Sequence, residues 1–162
     1  GVREGKLVTP VFIDYCKYLL SGNTTKFEPV FAHCTAQSTK ATVLKALKDQ
    51  APEYVLIHDA ARPCLTQSLI SSCIEAMRSH GAASPAVAVQ DTLWRCGDTV
   101  ETIVDRSGLW RAQTPQCFSY PLICAAHAAA TAQATDDVQV VRAMGHSVAI
   151  VPGDADNLKV TP

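Results

Sequence analysis

Residues 54 to 63 read Y-V-L-I-H-D-A-A-R-P, an apolar run that stops abruptly at an acid and a base. Four apolar or aromatic residues in a row predict a strand buried on both faces, as in a parallel sheet covered by helices. In open α/β sheets, ligands bind beyond the carboxyl ends of such strands, so Asp59 and Arg62 stand where a site is expected. A charged surface turn whose side chains pair locally explains the same ten residues.

The chain as a whole has the composition of a single globular domain. Its 162 residues are 48% hydrophobic and 18% charged, with a formal net charge of -1. This balance demands neither nucleic acid nor an anionic membrane as a partner. No apolar run approaches the roughly 18 residues of a membrane span, and the N-terminal G-V-R-E-G-K lacks the apolar core of a signal peptide. We therefore expect a cytoplasmic protein with no nucleic-acid partner and no membrane partner.

The cysteines and histidines are dispersed along the chain. The seven cysteines include no C-x-x-C pair, which argues against a disulfide framework and against a structural zinc site. The five histidines show no metal-ligand spacing. His58, which precedes Asp59, is interpreted as a packed or hydrogen-bonded strand residue rather than a catalytic base.

Helical and extended patterns alternate along the chain, which is typical of βαβ units. The sequence therefore predicts an α/β fold with a Rossmann-like, mostly parallel sheet flanked by helices. Thr66 is a candidate cap for a helix that ends near Gly81, and Thr135 is a candidate cap for a later helix. The other predicted elements are helices over 10–20, 39–48, 121–132 and 136–144 and strands over 27–33, 85–89 and 147–151.

Residues 93 to 113 differ from their surroundings. An L-W-R stretch, a Gly97-Asp98 turn and the run V-E-T-I-V predict a projecting β-hairpin. We expect this arm, 93–113, to extend from a single domain that covers 1–162 and to pack against a second subunit.

Polar residues follow several of the predicted strands and turns. Carboxylates hold a hard cation while Arg and Lys neutralise phosphate oxygens, so this mixture suits a magnesium-bound phosphate substrate. Hydrolysis fits less well, because the chain has no G-x-S-x-G elbow and no cysteine with a histidine partner in a local motif. The polar pairs are Asp59 with Arg62, Asp91 with Thr92, Arg106 with Thr114, and Asp156 with Lys159.

Five segments, taken in order, resemble the 2-C-methyl-D-erythritol 4-phosphate cytidylyltransferase family of the non-mevalonate isoprenoid pathway. They are V-L-I-H-D-A-A-R-P at 55–63, D-T at 91–92, D-R-S-G-L-W-R-A-Q-T-P-Q at 105–116, T-D-D at 135–137 and D-N-L-K-V-T at 156–161. The resemblance runs from about residue 42 to the end of the chain. Q-T-P-Q, the helix that contains A-H and T-D-D are similar to the form fused to the cyclodiphosphate synthase of the same pathway.

The resemblance implies transfer of a cytidylyl group from CTP to methylerythritol 4-phosphate with release of pyrophosphate. It implies Mg²⁺, or another divalent cation, as cofactor and a homodimer formed through the arm. It places Asp59, Ala60 and Arg62 beside the nucleotide, with Asp59 and Asp156 as candidate metal ligands. Lys159 would stabilise charge at the α-phosphate. The implied contacts to methylerythritol phosphate are Thr92 and Arg106, reaching it in the partner subunit, together with Thr114 and Thr135.

The N-terminal third departs from the family pattern. The family opens with a strand and A-A-G-x-G-x-R, whereas this chain offers G-V-R-E-G-K, with Arg3 and Lys6 as the candidate catalytic cations. A frayed polar terminus explains the same residues. The family's G-G-x-x-R-x-x-S corresponds to T-A-Q-S-T-K-A-T, in which Thr42 takes the place of the serine and binds nucleotide. We expect the chain to be part of a longer protein, or to lack loops that the intact protein contains.

Two other functions remain open at the level of sequence. One is a nucleotidyltransferase of similar fold that acts on another polyol phosphate, such as ribitol 5-phosphate. The other is an inactive module that binds nucleotide or forms a dimer, which the N-terminal departures leave possible.

Overall fold

The computed structural model describes residues 44, 47–48, 52–59, 61–130, 134 and 136–160. The predicted helix over 10–20 and strand over 27–33 lie outside these ranges, as does most of the helix over 39–48. The strands are β1 (Tyr54–Ile57), β2 (Ala82–Ala88), β3 (Leu93–Cys96), β4 (Val100–Val104), β5 (Trp110–Ala112), β6 (Gln116–Ser119) and β7 (Ala149–Pro152). The helices are α1 (Gln67–His80), α2 (Tyr120–Ala129) and α3 (Asp137–Ala143). None of these helices is long and apolar enough to span a membrane.

Helix α1 begins and ends at the residues that the sequence indicates. Thr66 is its N-cap, and the Thr66 side chain accepts a hydrogen bond from the Leu69 amide. Gly81 ends it with a left-handed φ of 78°, and the Gly81 amide donates to Met77 O at 2.7 Å. The buried face of α1 includes Cys73, which packs against the sheet. Both predicted boundaries of this helix are confirmed.

The main sheet has the strand order β1-β6-β2-β5, and β7 pairs with β2. Strands β1 and β2 are each antiparallel to β6, whereas β7 is parallel to β2. The carboxyl ends of β1, β2 and β7 therefore lie at the same edge of the sheet. The predicted α/β fold is confirmed, but pairing among the described strands is mixed rather than mostly parallel, because β5 and β6 run antiparallel to the others.

Helices cover both faces of this sheet. Ala83 and Cys117 point to the face that α1 covers, whereas their sequence neighbours Ala82 and Phe118 point to the face that α2 and α3 cover. Because both faces are covered, β1 shows the continuous apolar character, Y-V-L-I, that suggested a covered sheet.

Strands β5 and β6 follow one edge of β2 and are separated by a bulge. Continuing the β5 register, in which Ala86 pairs with Ala112, would place Ala83 opposite Pro115; instead, Ala83 pairs with Cys117. The extra residues fall between Gln113, whose amide still donates to Pro85 O, and Cys117, and the Thr114–Pro115 peptide between them is cis. Neither short strand was predicted.

The predicted arm is a hairpin of β3 and β4 that forms its own two-stranded sheet. Trp94 pairs with Ile103, and these two residues are 61% and 69% exposed. The predicted arm boundary at residue 113 is wrong, because β5, at 110–112, belongs to the main sheet. A tight turn leads back to that sheet, in which the Leu109 amide donates to Arg106 O at 2.9 Å and Gly108 has a left-handed φ of 76°.

Helix α3 is capped by a different residue from the one predicted. Asp136, rather than Thr135, is the N-cap, and its Oδ1 accepts from the Gln139 amide at 2.8 Å. The predicted helix over 121–132 is observed at 120–129, and the predicted strand over 147–151 is observed at 149–152.

Candidate active site beyond the end of strand β1

A cluster of one acid and two cations lies directly beyond β1. Asp59 Oδ2 is 3.1 Å from Lys159 Nζ and 3.5 Å from Arg62 Nε. The Arg62 contact is an ion pair rather than a hydrogen bond, since Arg62 Nε has no hydrogen-bond partner among the described residues. The side chains of Asp59 and Lys159 are 37% and 47% exposed, whereas that of Arg62 is only 11% exposed. The acid and the lysine are therefore accessible to solvent, whereas the guanidinium beside them is nearly buried.

Backbone oxygens hold the Arg62 guanidinium in place. Its Nη1 donates to Asn157 O at 2.7 Å, and its Nη2 donates to Ala112 O at 3.3 Å. The Arg62 amide also donates to Asp59 O at 3.0 Å, which closes the turn after β1. Arg62 thus joins the end of β1, the end of β5 and the loop after β7, because its planar group can donate in several directions.

Thr114 and His58 bind each other beside the cluster. Thr114 Oγ1 accepts from the Asp59 amide at 3.0 Å and lies 2.9 Å from His58 Nδ1. His58 Nε2 lies 3.0 Å from Arg62 O, which can only accept, so we assign the proton of the neutral ring to Nε2. Burial lowers the pKa of His58, which favours this neutral form. The Thr114 hydroxyl then donates to Nδ1, in agreement with the interpretation of His58 as a hydrogen-bonded residue.

Two residues at the centre of the site received no role from the sequence. Asn157 is fully buried, and its Nδ2 donates to Thr114 O at 2.9 Å. Gln113 Nε2 donates to Asp154 O at 2.7 Å, and Gln113 Oε1 accepts from the Asp154 amide at 3.0 Å. Both residues lie within motifs already noted, A-Q-T-P-Q and D-N-L-K. Each residue stands beside a residue that did receive a role, Gln113 beside Thr114 and Asn157 beside Asp156, and this adjacency was the available signal.

The loop after β7 brings Lys159 to Asp59. The Gly153 amide donates to Ala86 O at 2.8 Å, so this loop begins in close contact with β2. At the other end of the loop, the Val160 amide donates to Ala61 O at 2.8 Å. Backbone contacts at both ends therefore hold Lys159 beside a residue 100 positions earlier in the chain.

The arm residues are separate from this cluster. Thr92 and Arg106 are exposed, and no contact in the described part of the chain joins either side chain to Asp59, Arg62 or Lys159. Arg106 lies in the turn after β4, beside Asp105, whose pKa is lowered by hydrogen bonds from Ser107. The structure thus brings Asp59, Arg62, Thr114 and Lys159 together, while Thr92 and Arg106 project elsewhere within one subunit.

The remaining predicted site residues are Asp156 and five others. Asp156 is exposed, and its amide donates to Asp154 Oδ1 at 2.9 Å. Within the described ranges, no three His, Cys, Asp or Glu residues are grouped as metal ligands, so Asp156 does not join Asp59 in such a group. The predictions for Arg3, Lys6, Thr42, Ala60 and Thr135 lie outside the described residues.

The chain is similar to known proteins over most of its length. It is 47% identical over 142 residues to the bifunctional enzyme IspD/IspF of Rhodospirillum rubrum, covering 86% of this chain and 37% of that protein. It is 48% identical over 137 residues to the 2-C-methyl-D-erythritol 4-phosphate cytidylyltransferase of Cereibacter sphaeroides strain KD131, covering 84% of this chain and 61% of that one. The chain therefore spans about a third to three fifths of the length of these curated relatives.

Solved structures give the same result. The crystal structure of 2-C-methyl-D-erythritol 4-phosphate cytidylyltransferase from Thermus thermophilus matches with a TM-score of 0.78 and 32% identity, over 93% of this chain and 83% of that one. The bifunctional IspDF of Campylobacter jejuni matches with a TM-score of 0.67 and 26% identity, over 92% of this chain and 37% of that one. The family model of IspD, 2-C-methyl-D-erythritol 4-phosphate cytidylyltransferase, matches residues 13–162, which extends the resemblance well before residue 42. The chain belongs to the 2-C-methyl-D-erythritol 4-phosphate cytidylyltransferase family.

Proposed function

We propose that the protein transfers a cytidylyl group from CTP to 2-C-methyl-D-erythritol 4-phosphate and releases pyrophosphate, a step of isoprenoid biosynthesis. The observation that carries this proposal is the cluster of Asp59, Arg62 and Lys159 beyond β1, in a chain of this family. Direct attack of one phosphate on another needs positioning and charge neutralisation rather than a covalent nucleophile. The cluster supplies cations and an acid, which suits that kind of reaction.

The two cations are suited to different roles in this reaction. Lys159 is exposed and flexible enough to follow a phosphate, so it stabilises the charge that develops at the α-phosphate. Arg62 is fixed by carbonyl oxygens and orients Asp59 and the surrounding backbone. Thr114, whose hydroxyl is oriented by His58, contacts the acceptor together with Thr135. Thr92 and Arg106 complete the acceptor site from the arm of a second subunit.

Asp59 is the residue of the described site that fits a divalent cation. Mg²⁺ is commonly held by one or two carboxylates together with substrate phosphates, and Asp59 is partly exposed beside the lysine proposed to bind phosphate. Bound Mg²⁺ would neutralise phosphate charge. Asp156, in the D-N-L-K segment that resembles the family, is the second candidate ligand.

The arm supports a homodimer as part of the proposal. Trp94 and Ile103 are paired large hydrophobic residues on a hairpin that lies outside the main sheet. A patch of this kind is typical of a protein interface.

We also propose a cytoplasmic location, because every described cysteine is a free thiol, the state that a reducing compartment maintains. Fusion to a cyclodiphosphate synthase, as in the R. rubrum relative's name, is a further proposal.

The test is release of pyrophosphate by the full-length protein with CTP, Mg²⁺ and methylerythritol 4-phosphate. We expect turnover with this acceptor and little with ribitol 5-phosphate under the same conditions. Turnover with ribitol 5-phosphate alone would assign the protein to the other polyol phosphate. Nucleotide binding without turnover on either acceptor would favour the inactive module.

A further inference from the structure

A buried acid and a buried histidine join helices α2 and α3. Asp137 Oδ1 lies 2.9 Å from His127 Nε2, and the two side chains are 4% and 8% exposed. A buried carboxylate destabilises a fold unless it is partnered, and His127 is one such partner of Asp137. Apolar packing is already present at this interface, where Ile123 and Val141 belong to one buried cluster. Cohesion of the two helices alone therefore does not explain why the pair is present.

The N-terminal end of α3 is also joined to β6, the strand that follows Thr114 in the sequence. Asp136 Oδ2 accepts from Gln116 Nε2 at 3.4 Å, while Asp136 Oδ1 caps the helix. Gln116 begins β6 and lies two residues after Thr114, whose hydroxyl binds the Asp59 amide. Consecutive acids at the start of α3 thus contact β6 on one side and α2 on the other.

We propose that His127, through Asp137, and Gln116, through Asp136, are positioning residues for the acceptor side of the active site. Apolar contacts between helices tolerate small shifts, whereas a buried hydrogen bond is directional and fixes where α3 begins. The hydrogen bond between α3 and β6 lies two residues from Thr114, whose hydroxyl binds the Asp59 amide. This inference rests on the proposed function, in which Thr114 contacts methylerythritol phosphate.

The test compares His127 variants of the full-length protein by steady-state kinetics. His127→Leu keeps most of the volume and removes the donor, so the KM for methylerythritol phosphate should rise at least about fivefold, with kcat and the KM for CTP within about twofold. His127→Gln places an amide donor near the position of Nε2 and should restore most of the affinity. Val140→Ala, a cavity variant on α3, is the control and should lower the melting temperature without changing either KM.

A double variant separates positioning from stability. His127→Leu/Asp137→Leu also removes the buried carboxylate that has lost its histidine and should recover at least part of the melting temperature, while the acceptor KM stays high. Recovery of the acceptor KM in this variant, or an equal rise of both KM values in His127→Leu, would overturn the inference.

Hydrogen exchange gives a second measurement that does not depend on the assigned reaction. The Gln139 amide donates to the capping carboxylate of Asp136. It should exchange faster in His127→Leu than in Val140→Ala when each variant is measured equally far below its own melting temperature. Equal exchange would refute the positioning of α3. If the wild-type protein fails to use methylerythritol phosphate, the proposed function and the acceptor role fail, while exchange still decides whether the pair fixes α3.

Discussion

At the scale of single residues, Asp59 faces two cations that are held very differently. Arg62 is almost buried and its guanidinium binds two backbone oxygens, so its position is fixed by the fold. The Lys159 side chain is 47% exposed, and its ammonium group pairs with Asp59. Removing Arg62 should therefore disturb the architecture, whereas removing Lys159 should disturb chemistry alone.

We predict that Lys159→Ala lowers kcat at least about 100-fold, because it removes a cation from the transferring phosphate. Its melting temperature should stay close to that of the wild type, since exposed ion pairs contribute only about 0–1 kcal/mol to stability. Arg78→Ala is a matched control: Arg78 is also exposed but binds Tyr54 at the opposite end of β1, so turnover should be unchanged. Near-normal turnover in Lys159→Ala would remove this residue from the mechanism. Pyrophosphate release and thermal unfolding measure the two effects.

We predict that the folded protein loses stability in mild acid because His58 is buried in its neutral form. Burial lowers its pKa below the ordinary 6.5, so the unfolded chain takes up a proton at a higher pH than the folded protein. The stability that neutral His58 contributes is fully present above about pH 6.5 and is lost as the pH falls from there through the folded-state pKa. His58→Gln should show a smaller loss between about pH 7.5 and about pH 5.5 in urea unfolding. An identical pH dependence in the two proteins would contradict this prediction.

At the scale of elements, the bulge between β5 and β6 meets the loop after β7. Gln113 keeps the β5 register, because its amide donates to Pro85 O, and its side chain binds Asp154. Thr114 follows it in the bulge, and its carbonyl oxygen accepts from the Asn157 side chain. Bulges commonly redirect side chains near active sites, and this one directs Thr114 toward Asp59. The carboxyl end of β1, the bulge and the loop together form the site.

Gly153→Ala tests how closely these elements pack. A Cβ at Gly153 would lie 2.5 Å from Gln113 Oε1 and 2.9 Å from the carbonyl carbon and oxygen of Ala86. Because the backbone of β2 cannot move aside easily, we predict a loss of about 1–3 kcal/mol in the free energy of unfolding. Gly97→Ala is the control: its Cβ would lie 2.9 Å from the flexible Glu101 side chain, so the cost should be under about 1 kcal/mol. Denaturant unfolding of both variants measures the difference, and equal losses would refute the close approach at Gly153.

Local signals in the sequence predicted some of these elements well. Thr66 and Gly81 defined α1 because capping and left-handed backbone depend on nearby residues. Strand β2 begins at Ala82, three residues before its predicted start. The prediction began too late because A-A-S lacks the branched side chains that are typical of strands. Strands β5 and β6 were missed because they are short and interrupted by the bulge.

The site could be predicted only in part. The sequence indicated Asp59 and Arg62 because they follow an apolar strand, and the family resemblance indicated Lys159. The contact between Asp59 and Lys159 depends on the order of strands in the sheet, which no local pattern determines. The same holds for Asn157, whose side chain binds the Thr114 backbone 43 positions earlier.

At the scale of the whole molecule, the described chain has two sheets of different character. The main sheet is covered on both faces by helices, whereas the hairpin of β3 and β4 carries Trp94 and Ile103 at the surface. An isolated two-stranded hairpin is only marginally stable in water. The arm is therefore expected to gain order and stability from a partner surface.

We predict that Trp94→Asp/Ile103→Asp weakens the proposed homodimer, because it places two charges in an apolar interface. Analytical ultracentrifugation should show a dimer for the wild type and a shift toward monomer for the variant. Thr102→Asp, an exposed position on the same hairpin, is the control and should remain dimeric. A wild-type monomer at all accessible concentrations, or a variant that remains a dimer, would refute assembly through this arm.

The ion pair between Asp59 and Lys159 also affects how ligands bind to the whole site. Each charge already neutralises the other, so a divalent cation at Asp59 competes with Lys159, and a phosphate at Lys159 competes with Asp59. Whichever ligand binds first releases the opposite charge for the second. Metal ion and nucleotide should therefore bind with positive cooperativity, and that cooperativity should weaken when Lys159 is replaced by an uncharged residue.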